Sequence, residues 1–102
     1  MDAIDFTWIE IAADFQKDMD LLGWNLPAHY FSEGPQSLEH LIRDLLHTHP
    51  QQVKEICYRL SISEWRLSDI LVQKDKHLLA SAITQLIIDR CRERIQLRKS
   101  IS

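Results

Sequence analysis

Glycine and proline are scarce in this 102-residue chain, which holds two of the first and three of the second. Gly23, Gly34, Pro27 and Pro35 all fall in one stretch. Hairpins need residues that tolerate positive φ, so a chain this poor in them is ill equipped for many short strands. Cysteine is nearly as rare. Cys57 and Cys91 stand far apart, in no CxxC pattern and among apolar residues at helical spacing. They read as buried free thiols, not as the staples of a secreted scaffold. No apolar run approaches the length needed to cross a bilayer. The opening MDAIDF is acidic where a secretory or transit leader would be basic. These absences predict a soluble, cytoplasmic protein.

Catalytic signatures are missing as well. There is no glycine-rich phosphate loop, no GxSxG, no HExxH and no Cys–His arrangement readable from spacing. His40, Asp44 and His47 share a helix face with His49 close by, a combination zinc or nickel accepts when the geometry closes. With no cysteine near, these read as surface histidines at a helix end. The expectation is a non-enzymatic protein with no cofactor, no metal and no small-molecule substrate.

What the chain does contain is apolar residues in helical rhythm. Apolar content is 45% and charged content 26%, ordinary for a globular protein, and the length suits one domain over 1–102. In the first helix, 2–22, Ile4, Trp8, Ile11, Phe15, Met19 and Leu22 recur every three or four positions. Asp5, Glu10, Asp14, Lys17 and Asp18 between them predict an acidic outer face. The connector 23–36 is too apolar to be solvated, and its Trp24, Leu26, Tyr30 and Phe31 are expected to pack down on the bundle.

Three short helices follow. The first, 37–47, turns Leu38, Leu41, Ile42, Leu45 and Leu46 inward. Thr48-His49-Pro50-Gln51 reads as a stop and restart with a capping box, and Ser61-Ile62-Ser63-Glu64 as a second box. Between the boxes a helix buries Val53, Ile56, Cys57 and Leu60, and the next presents Leu67, Ile70 and Leu71. After a polar break at 73–76 a long helix, 77–99, carries Leu79, Ile83, Leu86, Ile87, Cys91 and Ile95, with 97–102 expected to fray. The fold class is therefore all-α, a compact bundle of five helices with long first and last members.

Charge is unevenly spread. Residues 1–50 hold two basic side chains against nine acidic ones, a balance of −7, while 51–102 hold ten against six, a balance of +4. Such asymmetry marks either a surface for a charged partner or an attraction between the two halves.

Two constellations suggest contact. Residues 52–72 suit a helix-turn-helix, with Ser61 at the corner where glycine is common and 63–72 as the recognition helix. Its DNA-contact residues would be Ser63, Glu64, Arg66 and Ser68, with Asp69 beside them. DNA readers surround that helix with cations, and this face is nearly neutral. At the C-terminal end Arg90, Arg94 and Arg98 form a stripe at four-residue steps, extended by Arg92 and Lys99. Trp8 and Trp24 fall at structural positions, whereas Trp65 faces outward beside Arg66, as interface anchors do.

The expectation is thus a small regulatory module that binds a protein partner or a second copy of itself. Trp65, Arg66, Arg90, Arg94 and Arg98 form its interaction residues, with the acidic face of the first helix as a second surface. Helix-turn-helix binding to nucleic acid is the alternative. A neutralising partner of the immunity or antitoxin kind, using the acidic helix, is the third reading. No membrane is implied.

Overall fold

The computed structural model describes residues 3–24, 26, 30–72 and 75–101. The expected helix start at Asp2, the connector's Pro27, the break residues Gln73 and Lys74, and Ser102 lie outside the described residues, as do the side chains of Ile4, Asp5, Lys76 and His77. The protein is an all-α bundle: α1 (Ala3–Leu21), α2 (Pro35–Thr48), α3 (Pro50–Arg59), α4 (Glu64–Leu71) and α5 (Lys76–Ile101). No strand occurs among the described residues. No helix among them is long and apolar enough to cross a membrane.

At 1.5 Å per residue, the 26 residues of α5 span about 39 Å, and the longest axis of the molecule is 39 Å. One helix therefore runs the length of the fold, and α1, α2 and α4 all pack against it. Its buried spine is Ala80, Ile83, Thr84, Ile87, Ile88, Cys91 and Ile95, a three-four spacing that keeps one stripe on the core. Thr84, the one polar member, donates its hydroxyl to the Ala80 carbonyl at 2.7 Å. Against the spine lie Trp8, Ile11, Phe15 and Met19 of α1, Leu38 and Ile42 of α2, and Val53, Ile56, Cys57 and Leu60 from α3 and its end.

The connector between α1 and α2 closes one end of this core. Phe31 is buried and sits edge-on to Trp8, Phe15 and Tyr30, with centroids 6.2, 5.5 and 5.0 Å away. Trp8 Nε1 donates to the Phe31 carbonyl at 2.8 Å, so the indole's polar group is satisfied as its ring is buried. Trp24, Leu26 and Tyr30 pack half-buried beside it.

Helix ends follow a different chemistry from the one the sequence suggests. Thr48 and Ser61 form no capping box. Thr48 is still inside α2, and its hydroxyl goes back to the Asp44 carbonyl at 2.8 Å, leaving His49 as the N-cap of α3. Ser61 cannot cap α4 because it ends α3. Its φ is 60°, its N–H bonds the Tyr58 carbonyl at 3.0 Å, and the Ile62 N–H bonds the Cys57 carbonyl at 2.9 Å. That pair of bonds is a Schellman ending, which places a left-handed residue just past the helix. α1 ends the same way: Gly23 at φ 85° donates to Asp20 at 3.0 Å, and Trp24 to Met19 at 2.9 Å. At the start of α2 the helix takes in Pro35, whose missing N–H would have no partner in a first turn.

The acidic outer face expected on α1 is corrected by the packing. Asp14 and Asp18 are 4% and 6% exposed, since they share the inward arc with Ile11, Phe15 and Met19. Their cations come from α5 and from Arg59 at the end of α3.

Candidate functional site

Two surfaces collect the residues singled out by the sequence. The first is the seam between α1 and α5. Arg94 reaches Asp14 with Nε at 3.1 Å and Asp18 with Nη2 at 2.6 Å. Arg98 Nη2 lies 2.9 Å from Asp14, Arg59 Nε 3.3 Å from Asp18, and Lys99 Nζ 3.0 Å from Glu10. Burial pulls Asp14 upward, but hydrogen bonds and charge from Arg94 and Arg98 outweigh it and hold the carboxyl below its ordinary value. Burial likewise pulls Arg94 down, and Asp14 and Asp18 more than reverse it.

The arginines expected as a contact stripe are therefore engaged by the chain's own groups. Arg90 joins them from the same helix, donating Nε to the Leu60 carbonyl at 2.8 Å, one of the carbonyls left open at the end of α3. Cys91, in the middle of this seam, is buried, and burial first and the Asp14 charge second push its thiol up to about 12. The seam leaves a shallow cleft of about 310 Å³ lined by Glu10, Lys17, Arg98 and Lys99 among others. Its charges are of both signs and largely paired, so it works as a clamp between the first and last helices.

The second surface is the groove between α3 and α4, a depression of about 430 Å³. One wall is Gln51, Lys54, Glu55 and Tyr58 of α3, spaced i, i+3, i+4 and i+7 so that they share a face. The other wall is Glu64, Leu67, Ser68 and Leu71 of α4, with the same spacing, and Cys57 and Ile62 lie at the base. Burial pushes Cys57 up to about 11, so its thiol stays protonated at neutral pH. The left-handed Ser61 sets the corner between the walls.

α4 is the least buried helix of the fold; none of its residues is buried. Trp65 is 70% exposed, Tyr58 76%, Val72 75% and Leu71 42%. Arg66, Ser68 and Asp69 are exposed too, and Ser63 is half-buried at the start of the helix. Among the described residues Arg66 has no ion-pair partner. The sequence reading singled out Trp65 and Arg66 but missed Tyr58, Lys54 and Glu55. Their signal was present as QxxKExxY on the outward side of α3, a polar face in which Tyr58 is the one aromatic member.

The histidine-rich end of α2 is exposed. His47 Nδ1 is 2.9 Å from the Arg43 carbonyl, and His40, Asp44 and His49 face solvent. No group of three or more His, Cys, Asp or Glu among the described residues is arranged to hold a metal ion. No family model, no curated protein and no solved structure matches this chain.

Proposed function

We propose that this protein is a non-enzymatic regulatory module that works by protein–protein contact through the α3–α4 groove. The observation that carries the reading is that four of the eight large apolar side chains exposed among the described residues, Tyr58, Trp65, Leu71 and Val72, stand around one groove. Exposed apolar clusters on a folded monomer mark contact sites, and Trp and Tyr are the side chains that most often anchor them. Trp65 is the proposed anchor and Arg66 a rim cation. The two free, protonated thiols suit a cytoplasmic setting.

Contact with protein is favoured over contact with duplex DNA by where the cations are. DNA affinity comes mainly from arginine and lysine on phosphates. Arg59, Arg90, Arg94 and Arg98 are turned to groups of the chain itself, while α4 offers Arg66 against Glu64 and Asp69. The inward Asp14 and Asp18 likewise take away much of the acidic face on which a neutralising role would rest.

A photo-crosslinking phenylalanine analogue at position 58 tests the proposal in the cells that make the protein. A discrete protein adduct that disappears on Trp65→Ala supports it. Absence of any adduct, together with retention on duplex DNA at low salt that Arg66→Glu abolishes, replaces it with the helix-turn-helix reading.

A further inference from the structure

From the shape and charge of the same surface, we infer that the groove's occupant is a second copy of this chain, in a two-fold dimer that seats Trp65 of each protomer in the other's α3–α4 groove. This inference rests on the contact reading above and adds the partner's identity.

The first support is the apolar arc of α4. A surface helix packs with a stripe about 100° wide. At about 100° per residue, Ile70, Leu67, Leu71, Val72 and Trp65 spread over roughly 220° of the circumference, interrupted by Glu64 and Ser68. The core covers the Ile70 and Leu67 side. The groove lies along Leu71, and Trp65 with Val72 stands on the far edge of the groove face. The helix is thus apolar on two sides and is covered on one.

Complementarity comes next. A two-fold contact brings one patch against itself, so the patch must carry both a projection and the hollow that receives it. Here both occur on one short helix: Trp65 projects, and the groove walled by Tyr58 and Leu71 lies directly beside it. Charge follows the same rule, because a patch of a single sign would repel its own copy. Lining this groove are Lys54 against Glu55 and Glu64, one cation to two anions. A strongly charged partner would find no complement here, whereas a copy finds both signs.

Area agrees with a modest dimer. Tyr58 and Trp65 together expose on the order of 300 Å². Leu71, Val72 and the groove walls bring each side toward the roughly 800 Å² of a standard interface, in the range of weak to moderate association.

Sedimentation equilibrium from about 1 μM to about 1 mM, which spans such affinities, tests the inference. The expected result is a mass rising from monomer to dimer. Trp65→Ala and, separately, Val72→Asp weaken the dimer by at least about a hundredfold, because each change removes two anchors at once. Leu97→Asp, at an exposed apolar position of α5, leaves it unchanged. Circular dichroism confirms that the variants, all at exposed positions, remain helical. A monomer across the whole range overturns the inference, as does a dimer that survives both α4 substitutions. A monomeric chain whose position 58 still crosslinks to another protein overturns the second-copy occupant and leaves the contact reading standing; a monomer with no crosslink overturns both.

Discussion

Replacing Arg94 by methionine measures how far charge, as distinct from oil, fastens α1 to α5. Methionine keeps most of the aliphatic stem and removes the cation shared by Asp14 and Asp18, whose side chains are 3% and 8% exposed. Breaking a buried ion pair costs about 3–5 kcal/mol. Two features lower that figure. Arg94 is itself 22% exposed, and each carboxylate keeps a second cation, Arg98 for Asp14 and Arg59 for Asp18. The expected loss near pH 7 is about 2–3 kcal/mol, or roughly 10–20 °C in Tm for a domain of this size. The pH dependence has a definite sign. In the parent, Asp14 titrates below its ordinary 3.8, so its contribution is complete above that value and drains away as pH falls through the native one. In the variant, burial is opposed by Arg98 alone, so the carboxyl titrates higher and acid relieves the unpaired charge. The gap between the two proteins therefore narrows from about pH 7 to about pH 4. Urea unfolding followed by far-ultraviolet circular dichroism measures both gaps. A loss under about 1 kcal/mol at neutral pH, the worth of a surface pair, would refute the reasoning. So would a gap that does not change with pH.

Ser61→Gly relieves the left-handed strain at φ 60° and raises stability by about 0.5–1 kcal/mol, read as a higher urea midpoint; an unchanged or lower midpoint counts against the Schellman ending. Trp8→Phe removes the indole bond to the Phe31 carbonyl, which keeps the Gly34 N–H at 3.2 Å, and costs about 0.5–1.5 kcal/mol, while Trp65→Phe stays within about 0.5 kcal/mol in the same unfolding assay. With thiols pushed up to about 11 and about 12 and both buried, Cys57 and Cys91 react with a disulfide reagent at neutral pH only as the fold opens. Ser61→Gly therefore slows the labelling, and rapid labelling of the native protein would contradict the burial.

Much of the fold was legible because apolar periodicity is a direct record of which helix face loses water. Trp8, Ile11, Phe15 and Met19, or Val53, Ile56, Cys57 and Leu60, announce their stripe by spacing alone, and each set is buried. Polar residues carry no such record. Asp14 and Asp18 look like solvent-facing members of an amphipathic helix until the cations that meet them are known, and those lie far off in the sequence, Arg59 41 positions from Asp18 and Arg94 80 from Asp14. Helix ends failed for a related reason. Thr48 and Ser61 fit the composition of a capping box, but whether a residue starts one helix or ends the previous one depends on a single dihedral angle that no spacing reports. Trp65 was legible as outward. Tyr58 was not, because its significance depends on α4 standing across the groove.

The uneven charge along the sequence carries a consequence for where function is placed. An acidic first half and a basic second half invite a search for an outside partner of opposite sign. Yet part of the excess is spent on the seam itself: Glu10, Asp14 and Asp18 meet Lys99, Arg98, Arg94 and Arg59. Except for Arg59 these groups sit near opposite ends of the chain, and contacts of such separation are the ones that cost most loop entropy to make. Part of the asymmetry is thus met within the fold. The proposed contact accordingly uses surface that the seam leaves uncovered, the α3–α4 groove with Tyr58, Leu67 and Leu71 in its walls.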